Sequence, residues 1–131
     1  MIRRQATVGV ALAAVLLTTG CSASVGAQLP ANLPSSVHIL PGTVLASSVD
    51  SLQWQVWVGS PDVIAGYKTA RALLLKAGYN TTYDNLYSTS GEGQFCTDRY
   101  CVDVNAYNDP VHGKSVGYVI YHNTALGAPK N

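Results

Sequence analysis

The residues of this 131-residue chain whose types and spacing could do chemistry are first of all its three cysteines. Cys96 and Cys101 flank four residues in the segment GQFCTDRYCVDV, and Cys21 is the third cysteine. A thioredoxin-like redox pair has the spacing C-x-x-C and a haem attachment site C-x-x-C-H, so the spacing excludes both. A structural zinc site needs four ligands, but the histidines lie in separate segments: His38, His112 and His122. We therefore predict no metal and no other cofactor.

The N-terminus has the features of an export signal. Arg3 and Arg4 form a short positive head, and the uncharged run over residues 6–17 follows it. That run is shorter than the roughly 20 apolar residues that cross a bilayer, and small residues come after it, as in a signal peptide. We therefore predict that residues 1–20 are removed.

The end of this segment, LLTTGC, resembles a bacterial lipobox, with Gly20 directly before Cys21. Thr18 stands where the motif favours leucine. The resemblance implies that Cys21 becomes the mature N-terminus and carries acyl chains such as palmitate, each buried methylene contributing about 0.8 kcal/mol to membrane binding. It implies a protein anchored by lipid to the cell membrane, on the extracytoplasmic face. The alternative is an ordinary secreted protein that loses Cys21 with the cleaved peptide.

Either way, only Cys96 and Cys101 remain, in a compartment where disulfides persist. The sequence FCTDRYCV is typical of two short strands around a four-residue turn. Directly opposed residues in such a hairpin bring their Cβ atoms close enough to bridge. Closing so small a loop stabilises by about 2 kcal/mol. We therefore predict that the two cysteines form a structural disulfide.

Composition divides the rest of the chain. Residues 21–36 comprise the lipidated N-terminus and an uncharged stretch with two prolines, typical of a flexible tether. Residues 37–124 have the size of a single domain, and residues 125–131 are predicted to be a loose tail. Without Arg3 and Arg4, six Lys and Arg stand against seven Asp and Glu. No basic stripe is present, so nucleic acid is not predicted as a partner.

The stretch LQWQVWV, residues 52–58, alternates like a half-buried strand. Its predicted core face consists of Leu52, Trp54, Val56 and Val58. Trp57 therefore falls on the opposite face, beside Gln53 and Gln55.

A helix is predicted directly after this strand. Ser60 is suited to the N-cap, Pro61 to the first helical position and Asp62 to the first turn. An apolar stripe at steps of three and four then runs from residue 63 to residue 77. Gly78 is predicted to end the helix in the left-handed conformation.

Further strands are predicted at 80–87, 94–96, 101–107 and 115–122, and residues 43–47 are compatible with a short one. A strand, then a helix, then a meander of strands indicates an α+β fold. We expect one helix packed on a mostly antiparallel sheet of about four to five strands, in the order β-α-β-β-β, with one hairpin closed by the disulfide.

The mature chain resembles small bacterial lipoproteins of a type common in actinobacteria. In these a strand precedes a helix of the form Asp-x-x-x-x-Tyr-x-x-x-Leu-x-x-x-Gly-aromatic. Asp62, Tyr67, Leu74 and the pair Gly78-Tyr79 follow this pattern roughly, over about a quarter of the chain. The resemblance implies a fold rather than an activity.

Catalytic motifs are missing from the sequence. STSGEG does not match the serine motif G-x-S-x-G. The one glutamate, Glu92, lies in a glycine-flanked turn, and Asp103 and Asp109 have no recognised pairing. The chain is therefore predicted not to be an enzyme. A small hydrolase, with His112 or His122 converging on carboxylates, is the weaker alternative.

Tyrosine is unusually frequent: the chain has eight, all between Tyr67 and Tyr121. The tyrosines either only cover a small sheet, which strand propensity favours, or some join a tryptophan in a recognition surface, since Tyr and Trp are enriched at interfaces. The residues predicted for such a surface are Trp57, Tyr83, Tyr87 and Tyr107.

The functional expectation is a non-catalytic, lipid-anchored module of the cell envelope that binds a protein or glycan partner. An alternative is a prophage-borne lipoprotein that excludes an incoming phage, or an inhibitor of a wall-cleaving enzyme. The expected partners are the membrane, through the N-terminal lipid, and an envelope or phage protein.

Overall fold

The computed structural model describes residues 27–124. The signal peptide, the lipidated Cys21, the first part of the tether and the tail over 125–131 lie outside the described residues. The described part contains these elements: β1 Val44–Val49, β2 Gln53–Gly59, α1 Val63–Lys76, β3 Asn80–Leu86, β4 Gly91–Cys96, β5 Tyr100–Asp109 and β6 Gly113–His122. Among these residues, no helix has the length and apolarity needed to cross a membrane.

All six strands form one antiparallel sheet in the order β1-β2-β6-β5-β4-β3. The helix connects β2 to β3 at the far edge, and it packs on β3, β4, β5 and β6. The predicted α+β class is confirmed, but the predicted count of four to five strands is too low. The additional strand is β1, whose sequence VLASSV shows no clear alternation and whose register shifts between Val44 and Ala46. Pairing with β2, rather than a local pattern, defines it.

The helix begins two residues later than the sequence predicted. Its N-cap is Asp62, whose Oδ1 accepts a hydrogen bond from the Ala65 amide at 3.0 Å. Ser60 is buried before the helix and donates its hydroxyl to the Asp62 carbonyl at 2.9 Å. The prediction of Ser60 as the cap is therefore wrong.

The other end of the helix follows the prediction. Gly78 has φ of 96°, which is the left-handed region where glycine carries no Cβ penalty. The Gly78 amide donates to the Leu75 carbonyl at 3.1 Å, and the Tyr79 amide donates to the Leu74 carbonyl at 3.0 Å. These two bonds form a Schellman motif, which satisfies carbonyls that the helix end would otherwise leave unpaired.

The core lies between α1 and the sheet face that it covers. Strand side chains on that face are fully buried and mostly branched: Val56, Val58, Phe95, Val102, Val104, Ala106, Val116 and Ile120. Leu52, predicted to join them, is instead 75% exposed. Its amide donates to Asp50 Oδ1 at 2.8 Å in the turn before β2, so Leu52 precedes the strand and does not share its core face.

The segment before β1 packs on the same core. Val37 and Leu40 are buried, and Leu33 contacts the cluster. The Leu40 amide donates to the Tyr118 hydroxyl at 2.9 Å, and the hydroxyls of Ser36 and Tyr79 are 2.9 Å apart. Packing thus extends back to Leu33, into the stretch for which the sequence predicted a flexible tether.

The predicted disulfide is confirmed. Cys96 and Cys101 are directly opposed at the end of the β4–β5 hairpin, with 4.1 Å between their Cα atoms. The Thr97 amide donates to the Tyr100 carbonyl at 2.8 Å and closes the turn that they flank.

Candidate functional site

The sheet face opposite α1, here called the open face, is formed by the residues that alternate with the core positions. Its strand residues include Gln53, Gln55, Trp57, Tyr83, Asn85, Glu92, Gln94, Asp103, Asn105, Tyr107, Val119 and Tyr121. Their side chains are half-buried or exposed, in contrast to the fully buried core positions. The open face is therefore a solvent-facing surface built from polar and aromatic side chains.

All four residues predicted for a recognition surface lie on the open face. Trp57 and Tyr107 are in contact, with ring centroids 6.0 Å apart in an edge-on arrangement. Tyr83 and Tyr87 lie at the opposite side of the sheet and are 42% and 54% exposed. Tyr87 follows β3 and donates its hydroxyl to Glu92 Oε2 at 3.2 Å. The structure thus joins the predicted residues in two pairs, one at each side of the face.

The Trp57 indole is held in place by neighbours on three strands and a turn. It lies across β6 at Gly117, where any side chain would collide with the ring. The His112 imidazole stacks on it at 5.2 Å and 21°, and Tyr107 meets it edge-on. Trp57 is therefore half-buried by residues of the open face itself, while its strand partner in β1 is the small Ala46. A rigid aromatic cluster, made of Trp57, Tyr107 and His112, results.

His112 was not predicted as a member of this surface. It is held by Asp109, whose Oδ2 accepts hydrogen bonds from the amides of Val111 at 2.9 Å and His112 at 2.7 Å. These bonds, the His112 amide above all, lower the pKa of the Asp109 carboxyl, and a hydrogen bond to Asp109 raises the pKa of the Tyr107 phenol. The His112 Nδ1 atom lies 3.1 Å from the same oxygen but is not aligned as a hydrogen bond. One carboxylate thus positions two members of the aromatic cluster.

A hydrogen-bonded triad occupies the middle of the open face. Gln94 Nε2 donates to Asp103 Oδ1 at 3.1 Å and to the Tyr121 hydroxyl at 2.6 Å, and that hydroxyl donates to Asp103 at 3.0 Å. Burial, together with the hydrogen bond to Asp103, raises the pKa of Tyr121 to about 12. Because the three side chains hydrogen-bond to one another, each restricts the orientation of the other two.

Other polar side chains on this face have no hydrogen-bond partner in the described part of the chain. Gln53, Gln55 and Asn105 make no side-chain hydrogen bond within residues 27–124. Each amide offers two donor hydrogens and an acceptor oxygen. Within the same residues, the Glu92 carboxylate accepts only the bond from Tyr87 and a long one of 3.5 Å from Asn85. The face thus presents unused donors and acceptors between its two aromatic pairs.

Lys and Arg are absent from the open-face strand positions of the described residues, whereas Glu92 and Asp103 are acidic. A concave recess of about 460 Å³ continues the face at the end of β2, where Gln53 and Tyr121 meet Leu52 and His122. The face is thus neutral to acidic and not wholly flat.

A larger groove, of about 740 Å³, lies on the helix side of the sheet, between residues 40–45 and the start of α1. Two of its polar groups are already engaged, since Ser60 donates to the Asp62 carbonyl and Asp62 caps the helix. Exposed Asp62 and Lys114 line it with opposite charges. Its volume alone would favour this groove as a ligand site. The hydrogen bonds of Ser60 and Asp62 and the opposite charges indicate instead a crevice between two surface segments.

The histidines considered for a hydrolase do not converge. His122 packs beside Trp54 and Tyr100 on the helix side, whereas His112 lies on the open face. In the part of the chain that the structure describes, no hydroxyl or thiol hydrogen-bonds to the His112 ring, and no three His, Cys, Asp or Glu residues are placed to hold a metal ion. The structure therefore does not bring His112 and His122 together in one site.

Comparison with known proteins adds no activity to this description. No protein-family model matches the chain, and neither the curated proteins nor the solved structures contain a match to it.

Proposed function

We propose that this protein is a lipid-anchored binding module of the cell envelope, and that its partner binds on the open face. The observation that carries the proposal is the contrast between the faces: α1 and the segment over residues 33–40 cover most of one of them, and the other retains Trp57, Tyr107, Tyr83 and Tyr87 beside unpaired amides. Rigid aromatic rings provide contact area at low entropic cost. Unpaired amides provide direction for hydrogen bonds.

Preorganisation supports binding on this face. Trp57 is held by Gly117, His112 and Tyr107, and the middle of the face is held by the Gln94–Asp103–Tyr121 triad. Side chains that are ordered before a ligand arrives lose little conformational entropy when it binds.

The proposed anchor would keep this face close to the membrane. Lipidation at Cys21 leaves only residues 22–32 between the anchor and Leu33, the first residue packed on the core. As a flexible coil, a stretch of that length spans about 17–20 Å. The Ser47 hydroxyl also donates to the Gln28 carbonyl at 2.6 Å, which shortens the free part further. The partner would therefore be membrane-proximal.

The anchor is tested by fractionating cells that express the wild type or Cys21→Ser. We expect the wild type in the membrane fraction and the variant in the soluble extracytoplasmic fraction, because residues 27–124 contain no membrane-spanning helix. A variant that still needs detergent for its release from the membrane would contradict lipid anchoring at Cys21.

The binding face is tested by crosslinking in intact cells followed by purification of the lipidated protein. Trp57→Ala and Tyr107→Ala should each reduce the amount of crosslinked partner, because both rings belong to the aromatic cluster. Lys68→Ala and Ala72→Ser, at exposed positions of α1, are the matched controls and should leave it unchanged. Loss of the partner from the helix variants alone would overturn the proposal.

A further inference from the structure

We infer that the ligand of the open face is a neutral, hydroxyl-rich glycan chain that lies across the strands, with one sugar ring against the Trp57 indole. This inference rests on the proposed function and names the class of partner for the same surface. Three observations lead to it: the charge of the face, its lack of aliphatic side chains and the order of its residues across the sheet.

The charge of the face argues against anionic partners. Phosphate and carboxylate ligands are bound by Arg and Lys, and none of the open-face strand positions within residues 27–124 carries either. Glu92 and Asp103 would repel a polyanion at close range. Both carboxylates accept hydrogen bonds well, which suits a ligand rich in hydroxyl groups. The charge therefore favours a neutral chain over phosphate-bearing polymers or nucleic acid.

The scarcity of aliphatic side chains argues against a protein partner. Protein interfaces have a dry centre in which aromatic and apolar anchors fill pockets. The centre of the open face instead contains Asn105, Gln55 and the polar triad, and Val119 is its one branched aliphatic residue among the described strands. Covering these amides with a dry surface would leave them unpaired, which costs free energy. Each sugar hydroxyl both donates and accepts, so a glycan can pair with them.

The order of residues across the sheet matches an elongated glycan. The strand pairings place Trp57, Gly117, Asn105, Glu92 and Asn85 in one row, from β2 through β6, β5 and β4 to β3. Four strand spacings make this row about 19 Å long. It presents an indole at one end, then an amide, a carboxylate and a second amide. A pyranose ring has C–H groups on its faces and hydroxyls around its rim, so the indole suits the first ring and the planar polar groups suit the hydroxyls that follow.

Binding of soluble tetrasaccharides tests the inference directly. The probes are chitotetraose, cellotetraose and maltotetraose, added to the lipidated full chain in detergent micelles. The chain has two tryptophans, so Trp54→Phe leaves Trp57 as the only one, and its fluorescence reports on the open face. We expect at least one probe to shift the Trp57 emission in a saturable way, and calorimetry on the wild type to give the same affinity.

Substitutions test whether the row from Trp57 to Asn85 binds the saccharide. Trp57→Ala should weaken binding at least 10-fold, and Asn105→Ala or Glu92→Gln several-fold, while Lys68→Ala on the exposed side of α1 should have no effect. The thermal melt of each variant is compared with that of the wild type. If Trp57→Ala does not fold, Asn105→Ala and Tyr107→Ala decide, because neither contributes to the buried core.

The outcomes separate this inference from the proposed function. Failure of all three tetrasaccharides, together with capture of a membrane protein that depends on Trp57, would overturn the glycan inference and leave the binding face in place. Tighter binding of polyglycerol phosphate than of any neutral tetrasaccharide would also overturn it. Saccharide binding that survives Trp57→Ala, Asn105→Ala and Glu92→Gln would place the ligand elsewhere and contradict both.

Discussion

The two faces of the sheet are made by neighbouring residues of the same strands, but they differ in nearly every property. Val56 and Val58 are completely buried on the helix side of the sheet, while Trp57 between them lies on the solvent-facing side among amides. Side chains on the helix face are mostly branched aliphatic ones, packed with the rings of Phe95 and Tyr118, whereas many of those on the open face are planar and polar. The period of two in a strand thus separates the residues that stabilise the fold from those available to a ligand.

Both faces use glycine to admit a large ring. On the helix face, Tyr67 is packed over Gly91 and Gly93, and its hydroxyl donates to Asp84 Oδ1 at 2.6 Å. On the open face, Trp57 lies over Gly117. The helix then buries Tyr67 completely, while Trp57 remains half-exposed. A ring packed over glycine thus belongs to the core on the face that α1 packs on, and to the solvent-facing surface on the face that α1 leaves open.

The largest difference in stability is expected between two variants, each of which removes a ring from a different face of the sheet. Phe95→Ala should lower the free energy of unfolding by about 3–5 kcal/mol, because it empties a fully buried position. Tyr83→Ala should change it by about 0.5 kcal/mol or less, since this ring is 42% exposed. Denaturant unfolding of both variants measures the contrast, and losses of equal size would show that the open face is also part of the core.

Loss of the disulfide is expected to lower the free energy of unfolding by less than loss of the buried Phe95 ring. Cys96 and Cys101 close a short hairpin loop on the open-face side of β4 and β5. The double variant Cys96→Ser, Cys101→Ser should be about 2 kcal/mol less stable, through the entropy of the unfolded chain.

Reduced wild type serves as the reference and should show the same loss, with no change in metal content. Free thiols at both positions in the native protein, detected by alkylation and mass spectrometry, would contradict a structural disulfide.

A smaller difference in stability is expected between alanine variants of two glycines, Gly91 on the helix face and Gly117 on the open face. Alanine at Gly91 would place its Cβ 2.7 Å from Tyr67 Cγ, beneath a ring that the helix holds down. Such overpacking costs about 1–3 kcal/mol. Alanine at Gly117 would place its Cβ in collision with Trp57 Cζ3 and push the indole out of the aromatic cluster, but no helix covers this partly exposed ring, so we expect a smaller loss of about 1 kcal/mol. Thermal unfolding measures the stability of both variants, and Trp57 fluorescence should change only for Gly117→Ala. A larger loss of stability for Gly117→Ala than for Gly91→Ala would contradict a fixed core face.

A further difference in stability is expected from pH. Burial raises the pKa of Tyr67 and of Tyr118, and raises the pKa of Tyr121 to about 12. Unfolded tyrosine titrates near pH 10, so above that pH the unfolded chain binds fewer protons than the folded chain. Stability should therefore be fully present below about pH 10 and fall as the pH rises toward 12.

Denaturant midpoints across this range measure the effect, with phenolate absorbance as an independent count of ionised tyrosines. Tyr118→Phe should make the pH dependence shallower. A stability that stays constant up to pH 12 would mean that these phenols are not held in their neutral form by burial.

Part of this architecture was predictable because its signals are local. Three features each depend on a few neighbouring residues: the alternation around Trp57, the glycine that ends α1, and the short loop between Cys96 and Cys101. The N-cap was missed because Ser60 and Asp62 are both good caps, and only packing decides between them: Ser60 is buried against Gly66 and so lies before the helix. Leu52 was misassigned because alternation continues by chance into the turn that Asp50 forms.

The sequence by itself determined which residues alternate in β2, where α1 ends and which cysteines bridge, because these features depend on local backbone geometry and on separations of a few residues. Only the tertiary structure decided that β1 joins the sheet, that His112 stacks on Trp57 and that the four predicted aromatic residues share one uncovered face. Those contacts join segments far apart in the chain. Their energies depend on strand order and register, and no local pattern of side chains specifies either.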